Sequence, residues 1–298
     1  MRSTSDGFGR AAGRAASRPL KVDHVSVGWS DLKEVQDAFA AAGMATEYGG
    51  PHSSGRTHMS LLGFGDGSYI ELISGLKSGV EPDIWSRQIE GDGGPCAWCV
   101  GSEDIAAEVA RARSLGIPAT GPDDYTRRRP DGVLVKWQLG FLGDGEPGSV
   151  LPFLIRDETP RDLRARPSPS VSATGAHLLG ITTVVLAVKD LPESIALFRG
   201  FYGWGEPETR RDLIRGAILA RFEGSPVVLA EPRGEGWPGE RLSAYGPSPC
   251  AFLIGTDDLD AAGVRHPLGG PEEWFDGDRV RWVRPLKEMG IPLGVYGR

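Results

Sequence analysis

Alternation of apolar and polar positions begins at Val22-Asp23-His24-Val25-Ser26-Val27, the period of a strand with one buried face. Two more alternating runs, Thr57 to Phe64 and Ser68 to Ile73, flank a Gly65-Asp66-Gly67 turn and predict a hairpin. Between them the period lengthens: Ser30 is placed to cap a helix that runs to about Ala42 and stops at Gly43. The order is βαβββ, and it recurs. A second copy has a strand from Cys96 to Val100, Ser102 as cap, a helix to about Leu115 and strands near Val133 to Leu139 and Val150 to Ile155. A third opens at Ile181 to Val188, with Asp190-Leu191-Pro192-Glu193 as a capping box and strands Gly216 to Phe222 and Pro226 to Ala230. A fourth begins at Pro249, and its segment to Leu259 echoes Pro95 to Ile105; its helix has room only to about Val264 and is degenerate.

Each module offers one half-covered sheet, and two such sheets pair edge to edge. The expected fold class is therefore α+β, with tandem βαβββ modules paired into two cupped mixed-sheet barrels. The expected domains are 20–158 and 177–298, joined by a Pro- and Ser-rich linker over 159–176. Residues 1–19 carry Arg2, Arg10, Arg14 and Arg18 among Ser, Gly and Ala. They share the composition of a transit peptide without the apolar stretch of a secretion signal, and read as a disordered tail.

Composition narrows the function. A length of 298 residues suits about two domains, and 40% hydrophobic with 24% charged residues is ordinary for a soluble protein. A net charge of −7 argues against nucleic acid as a partner. No apolar run reaches the length of about 18 that a membrane span needs, and no glycine-rich motif calls for a nucleotide cofactor. Three cysteines, Cys96, Cys99 and Cys250, make no disulfide framework and suit a reducing cytoplasm. On a strand, Cys96 and Cys99 are expected on opposite faces.

Three of the five histidines, His24, His52 and His58, lie in the first module near one carboxylate, Glu71. If Val25, Val27, Met59, Leu61, Ile70 and Leu72 face the covering helix, then His24, Ser26, His58, Ser60, Tyr69 and Glu71 share the open face. That face is the inside of the cup and so the wall of a pocket. His52, in a Gly-Pro loop, is expected at its mouth, in reach of substrate or of a proton in transfer. Arg127 and Arg128 read as solvated charges. In the second cup Thr183 stands where His24 does and Leu229 where Glu71 does, with Glu231 of the right parity near the rim; metal binding is not expected there.

The order Asp23-His24-Val25, Gly49-Gly50-Pro51-His52, Gly55-Arg56-Thr57-His58 and Gly67-Ser68-Tyr69-Ile70-Glu71-Leu72 resembles the glyoxalase-like branch of the vicinal-oxygen-chelate superfamily. The likeness continues in Arg129-Pro130-Asp131-Gly132, Trp137 and Leu151 to Ile155, and spans roughly residues 20 to 157. Metal-using relatives place ligands on the first and last strands of each module. This implies His24 and Glu71 here; the corresponding Ala97 and Phe153 of module two are not donors. His58, from the same expected face, would complete two imidazoles and a carboxylate, a set suited to Fe(II), Mn(II), Ni(II) or Zn(II). Without a metal the same groups would satisfy one another in a polar pocket. The resemblance also implies that Arg129 clamps a carboxylate or polarised carbonyl, and Ser26, Ser60 and Tyr69 are the expected substrate contacts.

Two functions stay open. One is a lyase- or isomerase-like enzyme acting on a small carbonyl or hydroxy compound, with a divalent metal as Lewis acid and His52 or bound water moving a proton. The other is a non-catalytic binding or drug-sequestering protein. Either takes a small-molecule partner, and a homodimer is compatible with both.

Overall fold

A computed structural model of the chain describes residues 20–77, 79–172, 177–275 and 277–297. The expected tail, 1–19, lies outside the described residues. Module one comprises β1 (Val22–Gly28), α1 (Leu32–Ala41), β2 (Glu47–Pro51), β3 (Thr57–Gly63) and β4 (Tyr69–Gly75). After α2 (Ser86–Glu90), module two follows as β5 (Gly94–Gly101), α3 (Ile105–Ser114), β6 (Ala119–Arg128), β7 (Leu134–Leu142) and β8 (Phe153–Asp157). Two short helices, α4 (Arg161–Arg164) and α5 (Pro169–Ser172), lead to module three: β9 (Gly180–Ala187), α6 (Leu191–Tyr202), β10 (Glu208–Asp212), β11 (Ala217–Arg221) and β12 (Val227–Pro232). Then come α7 (Trp237–Tyr245) and module four, with β13 (Ser248–Gly255), α8 (Leu259–Arg265), β14 (Glu272–Glu273), β15 (Arg279–Trp282), α9 (Arg284–Glu288) and β16 (Leu293–Gly297).

The four module helices begin alike. An aspartate, Asp31, Asp104, Asp190 or Asp258, accepts from backbone N–H groups of the first turn and is followed by a buried Leu or Ile. The caps of α1 and α3 are thus Asp31 and Asp104, a residue or two beyond the serines expected from the sequence, because a carboxylate also meets the positive end of the helix dipole. The degenerate fourth helix is the seven-residue α8.

The strands form two eight-stranded sheets, ordered β2-β3-β4-β1-β5-β8-β7-β6 and β10-β11-β12-β9-β13-β16-β15-β14. In each, the first and last strands of a module run parallel, and the opening strands of two modules meet antiparallel at the centre. One face of each curled sheet lines its own interior cluster: Ile73, Trp85, Cys99, Trp137, Phe153 and Ile155 among others in the first, and Val185, Leu219, Leu253, Trp274, Phe275 and Trp282 in the second. The other faces, with the module helices, form one core that runs through both halves. There Arg111 of α3 packs over the Phe201 ring of α6, and His266, after α8, turns its Nδ1 to the Ala42 carbonyl oxygen at 3.0 Å.

Irregularities in the central pair matter for the site. From Val22↔Val100 to His24↔Cys99, β1 advances two residues while β5 advances one, so Asp23 is an inserted residue beside His24. From Ser26↔Ala97 to Val27↔Pro95 the extra residue is Cys96. That bulge defeats the expected alternation, and Cys96 and Cys99 both join the interior cluster of the first cup.

The connection read as a linker is folded onto the first sheet. The Ser168 hydroxyl accepts from Gly63 N–H at 3.0 Å, and Ser168 N–H donates to the Gly63 carbonyl at 2.8 Å. Gly63 is required by this approach: a Cβ there would lie 1.9 Å from the Arg166 carbonyl oxygen. No helix among the described residues is long and apolar enough to cross a membrane.

Candidate functional site

The first cup holds a cavity of about 230 Å³. Its floor comes from β1 and β4, whose parallel register sets His24 beside Tyr69 and Ser26 beside Glu71. Its walls are largely apolar, with Met59 and Leu61 of β3, Trp137 and Phe141 of β7, Phe153 of β8, and Trp85 before α2.

Two polar pairs stand in this apolar room. In the first, the inserted Asp23 accepts from His24 Nδ1 at 2.7 Å. Its carboxylate also accepts from Arg164 at 2.9 and 3.0 Å and from Arg161. Burial alone would raise the Asp23 pKa, but Arg164 and His24 together hold it below the ordinary carboxylate value. A carboxylate only accepts, so Nδ1 carries the proton. Nε2 then has no hydrogen bond among the described residues, and His24 lines the cavity. The ring stacks on Tyr69, centroids 4.6 Å apart. Burial raises the Tyr69 pKa well above its ordinary value, and its oxygen accepts from Arg164 at 2.8 Å, so the phenol keeps a proton to donate.

In the second pair Glu71 Oε1 lies 3.3 Å from His52 Nε2, while Oε2 accepts from Ser26 Oγ at 3.0 Å. His52 is fixed in turn by Thr57, whose Oγ1 is 2.8 Å from Nδ1. Burial pushes the Glu71 pKa up, yet the His52 hydrogen bond, the His52 and His24 charges and Ser26 outweigh it and bring the value to about 2. Glu71 is ionised at any ordinary pH.

Of the residues singled out in the sequence, His24, His52, Tyr69 and Glu71 line this cavity, Ser26 is buried behind it against Glu71, and His58, Ser60 and Arg129 do not line it. His58 and Ser60 lie on the opposite face of β3, the reverse of the expected parity. The antiparallel register pairs Leu61 with Glu71 and Met59 with Ile73, and directly paired residues share a face. His58 instead meets Tyr48, ring centroids 5.9 Å apart, and Ser60 hydrogen-bonds Gln36 and Thr46. Arg129 points away from the cup, pairing with Asp131 at 2.8 Å and donating to the Leu163 carbonyl at 3.1 Å. Arg127, expected in solvent, is buried and lines the cavity. Sequence reasoning also missed Asp23 and Arg164 as site residues. Asp23 was visible as a charge inside a strand, but Arg164 gave no signal.

The expected metal set of His24, His58 and Glu71 is thus split between two faces of the sheet. Among the described residues one group brings three donor atoms within 4.8 Å of one another: Asp23, His24 and Cys99. It fits a divalent ion poorly. Both Asp23 oxygens already accept from guanidinium groups, whose positive charge opposes a cation, and burial pushes the Cys99 thiol far above its ordinary pKa.

In the second cup Val228, not the expected Leu229, stands where Glu71 does, paired with Val185 as Glu71 is with Ser26, and Thr183 takes the place of His24. The expected parity of Glu231 is reversed: it pairs with Ile218, away from the interior, and binds Arg233. Trp274 and Trp282 instead enclose Arg215, which pairs with Asp212 and Glu272 at its margin.

The sequence matches the glyoxalase-like domain family over residues 22–200, and the chain belongs to that family. Its fold is that of the vicinal-oxygen-chelate superfamily. A hypothetical protein from Staphylococcus aureus superposes with a TM-score of 0.59 at 15% identity, over 93% of this chain and 98% of that one. A xylose isomerase-like TIM barrel/4-hydroxyphenylpyruvate dioxygenase fusion protein superposes with a TM-score of 0.56 at 15% identity, over 94% of this chain and 49% of that one. The methylmalonyl-CoA epimerase of Streptomyces coelicolor matches 40% of this chain and 96% of its own, at 23% identity and a TM-score of 0.35. No curated protein matches the sequence.

Proposed function

We propose that the first cup is the active site of a glyoxalase-like enzyme that moves a proton on a small oxygenated compound with an apolar body, with His24 as base. The observation that carries this reading is the buried Asp23–His24 pair, whose unbonded Nε2 meets a largely apolar cavity. Nε2 takes a proton from the carbon beside a carbonyl, and the C–H electron pair moves into the carbonyl to give an enolate. The Tyr69 hydroxyl donates to that oxygen, and Asp23 stabilises the imidazolium through Nδ1–H. His52, at the mouth and held in place by ionised Glu71 and by Thr57, passes protons between the cup and water. The donor geometry favours chemistry without a resident metal, so Asp23, His24 and Cys99 are assigned no ligand role. The aromatic wall favours a second reading, a trap that binds without reacting.

The test is hydrogen–deuterium exchange in heavy water, followed by NMR over a panel of small aryl ketones and hydroxy ketones. Wild type accelerates exchange at the carbon next to the carbonyl for at least one member, before and after dialysis against a chelator. His24→Gln removes the acceleration and leaves binding intact. Binding with exchange at the uncatalysed rate throughout the panel would establish the trap; loss of exchange on chelation would restore the metal.

A further inference from the structure

Among the described residues the cavity carries one arginine that no carboxylate contacts. Arg127, on β6, is 4% exposed and lines the cup. Its two Nη atoms donate to main-chain carbonyls only, those of Gly49 and, at 2.9 Å, Arg164. Among the described residues no carboxylate lies within 4.0 Å of it; the buried Arg164 has Asp23 and Asp157 and the buried Arg215 has Asp212 and Glu272, while Arg241, which likewise donates only to main-chain carbonyls, lies outside the cavity. The cavity carboxylates have partners of their own: Glu71 is held by hydrogen bonds with His52 and Ser26, and Asp23 pairs with Arg161 and Arg164. Asp83 lies exposed at the rim. A buried charge without a counterion is expensive to a fold, and the expense falls when an anion arrives. After the two carbonyl bonds the guanidinium retains Nε–H and one N–H on each Nη, the fork that a carboxylate fits.

We infer that Arg127 is a recognition site for a carboxylate group, and that the ligand of the first cup is a small monoanionic carboxylate with an aromatic or otherwise apolar body. This deepens the proposed function and rests on its placing of the ligand in the first cup. Burial draws the Arg127 pKa down; Tyr69 and Glu71 oppose the fall, and the Arg129 and Arg164 charges add to it. A ligand carboxylate would reverse that balance. A phosphate is the weaker candidate, because a dianion would call for a second unmatched cation, and the cup has one.

Three probes separate the cases: phenylacetate, phenylacetamide of nearly the same shape, and phenyl phosphate. Binding is read from tryptophan fluorescence, since Trp85 and Trp137 line the cavity. Wild type is expected to bind phenylacetate at least about tenfold more tightly than the amide, the lower bound for a hydrogen bond to a charged group, and more tightly than phenyl phosphate. Arg127→Gln should abolish the preference over the amide, weakening phenylacetate at least about tenfold more than it weakens the amide. Arg127→Lys, which keeps the charge without the fork, should retain a reduced preference, and thermal unfolding of both variants establishes that they fold. Equal binding of acid and amide by wild type, or a preference that survives Arg127→Gln, overturns the inference while leaving proton transfer by His24 standing. Tighter binding of phenyl phosphate overturns the choice of carboxylate. Failure of all three probes to bind removes the cup as a ligand site and takes both proposals with it.

Discussion

Replacing Glu71 with glutamine removes a charge and changes almost nothing in shape, so its effect can be followed through pH. The folded protein holds the Glu71 carboxyl at about 2, against an ordinary value of 4.5. A pKa depressed on folding contributes stability that is fully present above the unfolded value and is lost as pH falls through the folded one. At about 1.4 kcal/mol per tenfold ratio, ionised Glu71 contributes about 3 kcal/mol near pH 6 and about 1 kcal/mol near pH 3. Glutamine has no such dependence. The difference in unfolding free energy between wild type and Glu71→Gln should therefore shrink by about 2 kcal/mol between those two pH values, measured by urea unfolding of both proteins at each. Lost hydrogen bonds to Ser26 and His52 enter both measurements and largely cancel. A difference that changes by less than about 0.5 kcal/mol would show that His52, His24 and Ser26 do not hold the carboxylate ionised.

Arg164→Met strips cations from Asp23 and Asp157 and a donor from Tyr69, and Arg161 remains as partial cover. Urea unfolding should register a loss of about 3 kcal/mol, near the lower end for breaking a buried pair; a loss under about 1 kcal/mol would mean that Arg161 suffices. Gly63→Ala forces a methyl group against the Arg166 carbonyl and should cost about 2 kcal/mol or more. The Ser168 amide should also exchange its hydrogen faster, and wild-type protection there would refute the close approach.

The architecture was legible because four modules repeat the same signals: a buried alternating strand, a polar cap before Leu or Ile, and a glycine stop or short turn. On β1 and β4 the polar members of the alternation, His24, Tyr69 and Glu71, are also cavity members, and Ser26 supports Glu71 from beneath. On β3 the same rule inverted the faces. A cavity that receives an apolar ligand is itself lined with Met59 and Leu61, so hydrophobicity no longer distinguishes inside from outside; only the pairing of Leu61 with Glu71 does. Nothing local marks the Asp23 insertion, which is defined by what β5 does opposite. Arg164 was illegible for a different reason: its partner Asp23 lies 141 residues away, and a Pro- and Ser-rich stretch looks the same whether it hangs free or is clamped.

That clamped stretch makes the seam between the two halves part of the site. A polypeptide cut at 158, or a hybrid that joins this first half to a foreign second half there, would surrender both guanidinium groups that neutralise Asp23, and with them the orientation of His24. Recombination between relatives is therefore constrained to breakpoints beyond Ser172. A hybrid keeps the site only if the tether is inherited with the first half, and it must also refill the core that both halves share.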